Sequence, residues 1–247
     1  MAGLCQNAAP AGPLPDHFPR AVITDDLRQF LESMLLALAA LLPIVNPLGA
    51  APVYLAKTID LTPVEHADLA RRVAVNGFLL LLASLLIGAY VLDFFGISVP
   101  VVQVAGGLLV CSLAWSLLHQ PDEPIEWVHD AAKPIKRPDL RVRAFYPLTM
   151  PLTVGPGSIS VAITIGANQS RGVRTLIVDA LAHAAGVFLV ALAIFVTFRY
   201  AEPILRRLGP TGTAVLLRLS AFILLCIGVE IIWNGATALL RGVGVII

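Results

Sequence analysis

From Phe78 to Ile87 the chain reads Phe-Leu-Leu-Leu-Leu-Ala-Ser-Leu-Leu-Ile, without a charge and without alternation of polar and apolar side chains. Comparable blocks recur along the sequence, each about 20 residues long, which at 1.5 Å per helical residue matches the hydrocarbon thickness of a bilayer. In lipid every backbone N–H and C=O must be paired within the protein, and a barrel strand would require a two-residue alternation that these blocks lack. They are therefore predicted to be helices. Composition agrees: 57% of residues are hydrophobic and 13% charged, with a mean hydropathy of +0.84, against about a quarter charged in soluble domains. Six spans are expected, near 30–56, 73–95, 97–118, 144–166, 175–198 and 213–240.

Residues 1–29 contain Pro10, Pro13, Pro15 and Pro19 with acidic Asp16, Asp25 and Asp26. They lack the basic start and apolar middle of a cleaved signal, so a retained flexible tail is expected. Lys57, Arg71, Arg72, Lys133, Lys136, Arg137, Arg141, Arg143, Arg199, Arg206 and Arg207 fall in the stretches 57–72, 119–143 and 199–212, all on one side of a six-span chain. The other side carries Arg20, Arg28, Arg171, Arg174 and Arg241. Eleven against five makes 119–143 a basic cytoplasmic loop and puts both termini on the extracytoplasmic side. A net charge of +1 and the lack of a basic patch interleaved with aromatics argue against a nucleic-acid partner. Cys5, Cys111 and Cys226 are too scattered for a metal-ligand spacing.

One pattern occurs twice. Pro43-Ile44-Val45-Asn46-Pro47-Leu48, continuing to Pro52, returns as Pro147-Leu148-Thr149-Met150-Pro151-Leu152, continuing to Pro156, an offset of 147 − 43 = 104 residues. One copy lies in the first apolar block and the other in the fourth. The chain thus divides into repeats 30–118 and 144–247 of three spans each, and an odd number of spans turns the second upside down relative to the first. A fainter echo links Leu108-Leu109-Val110-Cys111 to Ile223-Leu224-Leu225-Cys226. The expected fold is an all-α membrane protein of six transmembrane helices in two inverted three-helix repeats, with helices 1 and 4 broken at the proline motifs.

Proline lacks the N–H donor, clashes with the carbonyl four residues back and biases the preceding residue away from the helical region. Pro43, Pro52, Pro147, Pro151 and Pro156, with Pro47 between them, are the expected helix breakers. Their neighbours Asn46, Gly49, Thr149, Thr153, Gly155, Gly157 and Ser158 are small or polar. Broken helices at corresponding places in inverted halves are the best sequence pointer to a transporter's central site. Exposed N–H groups there can receive a carboxylate and unwound carbonyls an ammonium, which together suit a zwitterion.

The two motifs, with Phe95-Gly96-Ile97-Ser98-Val99-Pro100, Arg218-Leu219 and Asn234-Gly235, resemble the MarC family of bacterial multi-pass membrane proteins over roughly residues 30–241. The resemblance implies location in the bacterial inner membrane and transport of small neutral amino acids. The tail 1–29 departs from the family pattern, as does Glu230, where the resemblance implies a neutral amide.

Ionisable groups inside a span are costly and are candidate functional groups by default. Glu230 and Asn234, four residues apart, share a face of the last helix and join the candidate substrate-binding set. A carboxylate in a dry site there could carry a proton. Asp179 and His183 are also four apart but fall near the outer end of their span, which reads as a solvated interfacial pair. Asn76 and Gln103 read as cross-helix packing groups. The chain has no G-x-S-x-G, no H-E-x-x-H and no G-x-x-x-x-G-K-[ST], so an enzyme or an ATP-driven pump is not expected, nor a cofactor. The leading expectation is a secondary carrier or exporter of small neutral amino acids. The alternatives are a carrier of another amphiphilic or lipid-linked anion, or a non-transporting membrane protein. Membrane lipid and a small-molecule substrate are the expected partners, with a homo-oligomer left open.

Overall fold

A computed structural model describes residues 18–58, 60–119, 140–168, 173–242 and 244. Among them the chain is helical throughout, without a strand. Helix α1 runs Phe18–Val45 and α2 Pro47–Ala56, joined at Asn46. They are followed by α3 (Pro63–Phe94), α4 (Val99–Leu118), the single turn α5 (Leu140–Arg143), a π-helical stretch Ala144–Thr153, α6 (Pro156–Ala167), α7 (Val173–Arg199) and α8 (Ala201–Gly242). The structure therefore begins helix at Phe18, inside the stretch expected as tail. Most of the expected basic loop, residues 120–139, lies outside the described residues.

Among the described residues five helices are long and apolar enough to cross a membrane: Asp26–Ala56, Pro63–Phe94, Val99–Leu118, Thr175–Arg199 and Thr211–Gly242. The block expected as the fourth span, broken at its proline motif, is divided between the π-helical stretch and α6. At 12 residues α6 covers about 18 Å, short of a hydrocarbon core about 30 Å thick. Two loop assignments also change. Helix α3 starts ten residues (73 − 63) before its apolar block, because Thr62 caps it. The Thr62 hydroxyl accepts from the Glu65 N–H while the Glu65 carboxylate accepts from the Thr62 N–H, a capping box with Pro63 at the first helical position. The stretch 199–212 is helix on both sides of a bend at Gly209, whose φ of 69° is a conformation that glycine adopts without penalty.

Helix α4 packs along α8, α1 along α7, and α3 against both α6 and α7, while α4 also meets α6 and α2 meets α8. Without a hydrophobic force between helices in lipid, close approach depends on small residues. At the α4–α8 crossing a Cβ on Gly107 would lie 2.8 Å from the Gly228 carbonyl oxygen, and one on Gly228 would lie 3.1 Å from the Gly107 carbonyl oxygen. The two backbones pass over each other at the glycines. The largest buried cluster joins α2, α3, the π-helical stretch and α7. At its centre Tyr54 is fully buried, stacks on Phe198 at 4.3 Å between ring centroids, and donates its hydroxyl to the His66 carbonyl at 3.0 Å. Leu79, Leu86, Ile87, Leu108, Leu192 and Phe222 face outward, as a lipid-facing surface requires.

Candidate functional site

The first proline motif is interrupted at one residue. Asn46 adopts φ 44° and ψ 61°, the left-handed region that asparagine tolerates better than most residues. Its Oδ1 accepts from the Gly49 N–H at 3.1 Å, capping α2, and Pro47 occupies the first helical position, where its missing N–H costs nothing. Pro43 and Pro52 lie inside α1 and α2, so the break is at Asn46 and not at those two prolines. A Cβ on Gly49 would collide with the Asn46 side chain, which explains the small residue at that position.

The second copy is built differently. Tyr146 (φ −125°, ψ 123°), Met150 (φ −116°, ψ 124°) and Gly155 (φ −93°, ψ 176°) are all extended, and each precedes a proline: Pro147, Pro151 and Pro156. Between them the chain winds as a π-helix, and the buried threonines serve the loosened carbonyls. The Thr149 hydroxyl donates to the Ala144 carbonyl and the Thr153 hydroxyl to the Leu148 carbonyl, both five residues back at 2.7 Å. The Val154 N–H donates to the Thr149 carbonyl at 2.8 Å. At the start of α6 the Ser158 hydroxyl donates to the Gly155 carbonyl at 2.9 Å, and Gly157 packs against Val110 of α4. In both copies, then, the polar side chains singled out in the sequence satisfy backbone groups that the prolines loosen.

The larger hollow lies beside these breaks. It has a volume of about 880 Å³ and is walled by α1, α4, α6, α7 and α8, drawing on both halves of the chain. Glu230 and Asn234 line it, and the Asn234 amide donates to the Glu230 carboxylate at 3.3 Å. Asn46, Pro47, Gly49, Thr149, Thr153, Gly155, Gly157 and Ser158 are not in its lining. On the α1 side the lining runs from Gln29 and Ser33 to Ile44, two residues short of the Asn46 break.

The opposite wall corrects the sequence reading. Asp179 and His183 are 5% and 6% exposed, so they are buried and do not form a solvated interfacial pair. Asp179 Oδ1 accepts from Gln29 Nε2 at 3.0 Å and from the Ser33 hydroxyl at 2.8 Å, tying α7 to α1. Gln103 of α4 donates to the Thr164 hydroxyl of α6 at 3.2 Å, and Thr164 donates to the Ser160 carbonyl at 2.9 Å. Sequence reasoning passed over Gln29, Ser33, Thr164, Asn168 and Thr175. Their signal was a four-residue polar spacing, Gln29–Ser33, Thr164–Asn168 and Thr175–Asp179–His183, matching that of Glu230–Asn234.

A second, smaller hollow of about 440 Å³ lies among Asp68, Arg71, Arg72, Val75, Asn76, Arg141 and Ala144, at the starts of α3 and the π-helical stretch. Close by, Arg143 grips Asp60 through two nitrogens at 2.8 and 2.9 Å and also donates to the Lys57 carbonyl. The hydrogen bonds to Asp60, opposed by partial burial, hold the Arg143 guanidinium above its ordinary pKa. This clip ties the end of the first motif's helix to the beginning of the second motif.

The family model described as MarC family integral membrane protein matches residues 31–240. The UPF0056 inner membrane protein MarC of Escherichia coli strain K12 is 31% identical over 211 residues, covering 83% of this chain and 95% of that protein. The protein of the same name from Escherichia coli O1:K1 / APEC gives the same figures. No solved structure matches. With the match extending over the two motifs and most of the residues that line the hollow, the chain belongs to the MarC family of integral membrane proteins.

Proposed function

We propose that the protein is a secondary carrier, working as an exporter, for a small neutral amino acid, which it binds in the larger hollow. The observation that carries this reading is the hollow itself. Its volume falls in the range of small-ligand sites, its floor is apolar (Leu36, Ala40, Ile44, Val161), and its amides, hydroxyls and carboxylates come from both halves. Intramembrane polar groups of this kind are costly unless used. The reading of the lining as an anion site is disfavoured, because among the described residues it carries Asp179 and Glu230 and no lysine or arginine.

The inverted-repeat arrangement belongs to the same proposal. Pairing α1–α2 with the π-helical stretch and α6, α3 with α7, and α4 with α8 leaves the packing scheme unchanged. The α1–α7 contact then corresponds to that between α3 and the π-helical stretch, and α2–α8 to α4–α6, while α4–α8 and α3–α7 map onto themselves. Phe78 of α3 meets Phe188 of α7 edge to face at 6.3 Å, at the place where such an axis would pass. The smaller hollow is bounded by α3 and the π-helical stretch, the counterparts of α7 and α1, and would be the opposite mouth of an alternating pathway. The relatives named inner membrane proteins support a bacterial inner-membrane location, and the excess of basic residues in 57–72, 119–143 and 199–212 supports an extracytoplasmic side for both termini.

Purified protein in liposomes loaded with radiolabelled neutral amino acids tests the function. Saturable counterflow of at least one of them, lost on Thr164→Leu in the hollow, is the expected result. No flux of any amino acid, with or without a proton or sodium gradient, would leave a non-transporting membrane protein as the reading.

A further inference from the structure

We infer that the clip of Arg143 on Asp60 and on the Lys57 carbonyl is the latch of a gate, formed by α2 and the π-helical stretch, that shuts the solute pathway on the side facing away from the larger hollow. This rests on the carrier reading and adds to it what closes the second mouth, and through which residues.

The larger hollow occupies one half of the bundle: it is lined by Gln29 and Ser33 early in α1, Gln103 early in α4, Asn168 just past α6 and Asn234 late in α8. The other half is packed. Tyr54, Leu69, Val73, Ala144, Leu148 and Phe198 are all buried there. A carrier that exposes its site alternately to the two sides must open that packed half at another stage of its cycle.

The breaks in the chain set which elements can move. Hinges are a few residues at element ends that absorb a change of backbone angle. Helix α2 and the π-helical stretch are ten residues each, and they meet inside the packed half. Asn46 breaks the chain immediately before α2, and the extended residues Val154 and Gly155 break it immediately after the π-helical stretch. The clip joins their other ends, since Lys57 and Asp60 follow α2 and Arg143 precedes Ala144. Each element is thus hinged at one end and fastened to the other element at the opposite end.

A latch must hold and must also release. The Arg28–Glu32, Arg72–Asp68 and Arg206–Glu202 pairs lie four residues apart on one helix and fasten nothing to anything else, whereas Arg143 and Asp60 are 83 residues apart. A single-contact surface pair would be too weak, but Arg143 is bidentate on Asp60 at 2.8 and 2.9 Å. Its guanidinium also serves the Lys57 carbonyl, at the end of α2 where the helix dipole is negative. Release is possible because the Asp60 side chain is 49% exposed, against 19% for Arg143, so water can take over the carboxylate without the penalty of stranding a buried charge.

The experiment uses the full chain with Cys5, Cys111 and Cys226 replaced by serine, in lipid nanodiscs, where a membrane-impermeant maleimide reaches both faces. Thr149→Cys reports on the packed half, since Thr149 is wholly buried in the π-helical stretch, and Thr164→Cys reports on the larger hollow. Asp60→Asn keeps the shape of the side chain and removes its charge. It is expected to speed labelling at Thr149→Cys by about 3- to 10-fold, the value of a partly exposed ion pair, and to slow labelling at Thr164→Cys. Unchanged labelling at Thr149→Cys would overturn the latch. Faster labelling at both positions would also overturn it, because a loosened fold exposes both and a gate exchanges one for the other. In proteoliposomes, Asp60→Cys with Arg143→Cys joined by a bifunctional methanethiosulfonate should lose amino-acid counterflow and regain it on reduction. Counterflow that persists in the joined chain would contradict the gate. Absence of counterflow before joining would remove the carrier reading, while the labelling rates would still decide whether the clip holds that half shut.

Discussion

The two proline motifs place prolines at identical spacings and yet fold differently. In the first copy a single left-handed residue, Asn46, carries the interruption, and helix resumes at Pro47. In the second copy three extended residues each precede a proline, and the stretch between them is π-helical. The difference follows from what occupies the shared positions. At the 104-residue offset Asn46 corresponds to Met150, Val45 to Thr149 and Gly49 to Thr153. Asparagine tolerates positive φ and can cap the next helix, so one residue suffices. Methionine can do neither, so Met150 takes the extended conformation that a following proline favours, and the hydroxyls of Thr149 and Thr153 close the loosened carbonyls. Each copy breaks beside a proline, though not at Pro43 or Pro52, and the residues between the prolines determine the form of the break.

The sharpest test of that comparison puts leucine at both paired positions. Asn46→Leu removes a cap and forces a branched residue into the left-handed region, and should destabilise the protein by about 2–3 kcal/mol in detergent unfolding. Met150→Leu conserves volume and backbone and should cost less than about 1.5 kcal/mol. Equal losses would mean that the prolines alone set both breaks. A smaller effect is expected from Thr153→Val, which leaves the Leu148 carbonyl without the hydroxyl, at about 1–2 kcal/mol by the same measurement. A neutral result would show that water or a neighbouring helix already serves that carbonyl.

The repeated motif made the region of the breaks legible, because proline acts through its own covalent geometry. Which prolines would lie inside helices was not legible: Pro43 and Pro52 are accommodated within α1 and α2 by tertiary packing that no local rule encodes. Helices α3, α4, α7 and α8 could be read from their apolar blocks, but α3 extends past its block because Thr62 and Glu65 form a cap in a polar stretch. The fourth block reads as a span by hydropathy alone, and the π-helical winding that divides it depends on side-chain hydroxyls to which hydropathy is blind. At the site, Glu230 and Asn234 stood out as polar residues within an apolar block. Gln29 fell in the stretch assigned to the tail, and Asp179 and His183 lay close enough to the end of a block to pass for interfacial groups. Only their packing against α1 revealed them as buried wall.

The claim that the larger hollow is the path of the solute is tested most directly by a single cysteine inside it. In a chain with Cys5, Cys111 and Cys226 replaced by serine, Thr164→Cys would be reacted with a charged, membrane-impermeant thiol reagent in proteoliposomes. Labelling is expected to stop amino-acid counterflow, and a transported amino acid in excess is expected to slow the labelling. Full labelling with counterflow unchanged would contradict the account, since a solute crossing through the hollow could not pass a bulky charge attached at Thr164.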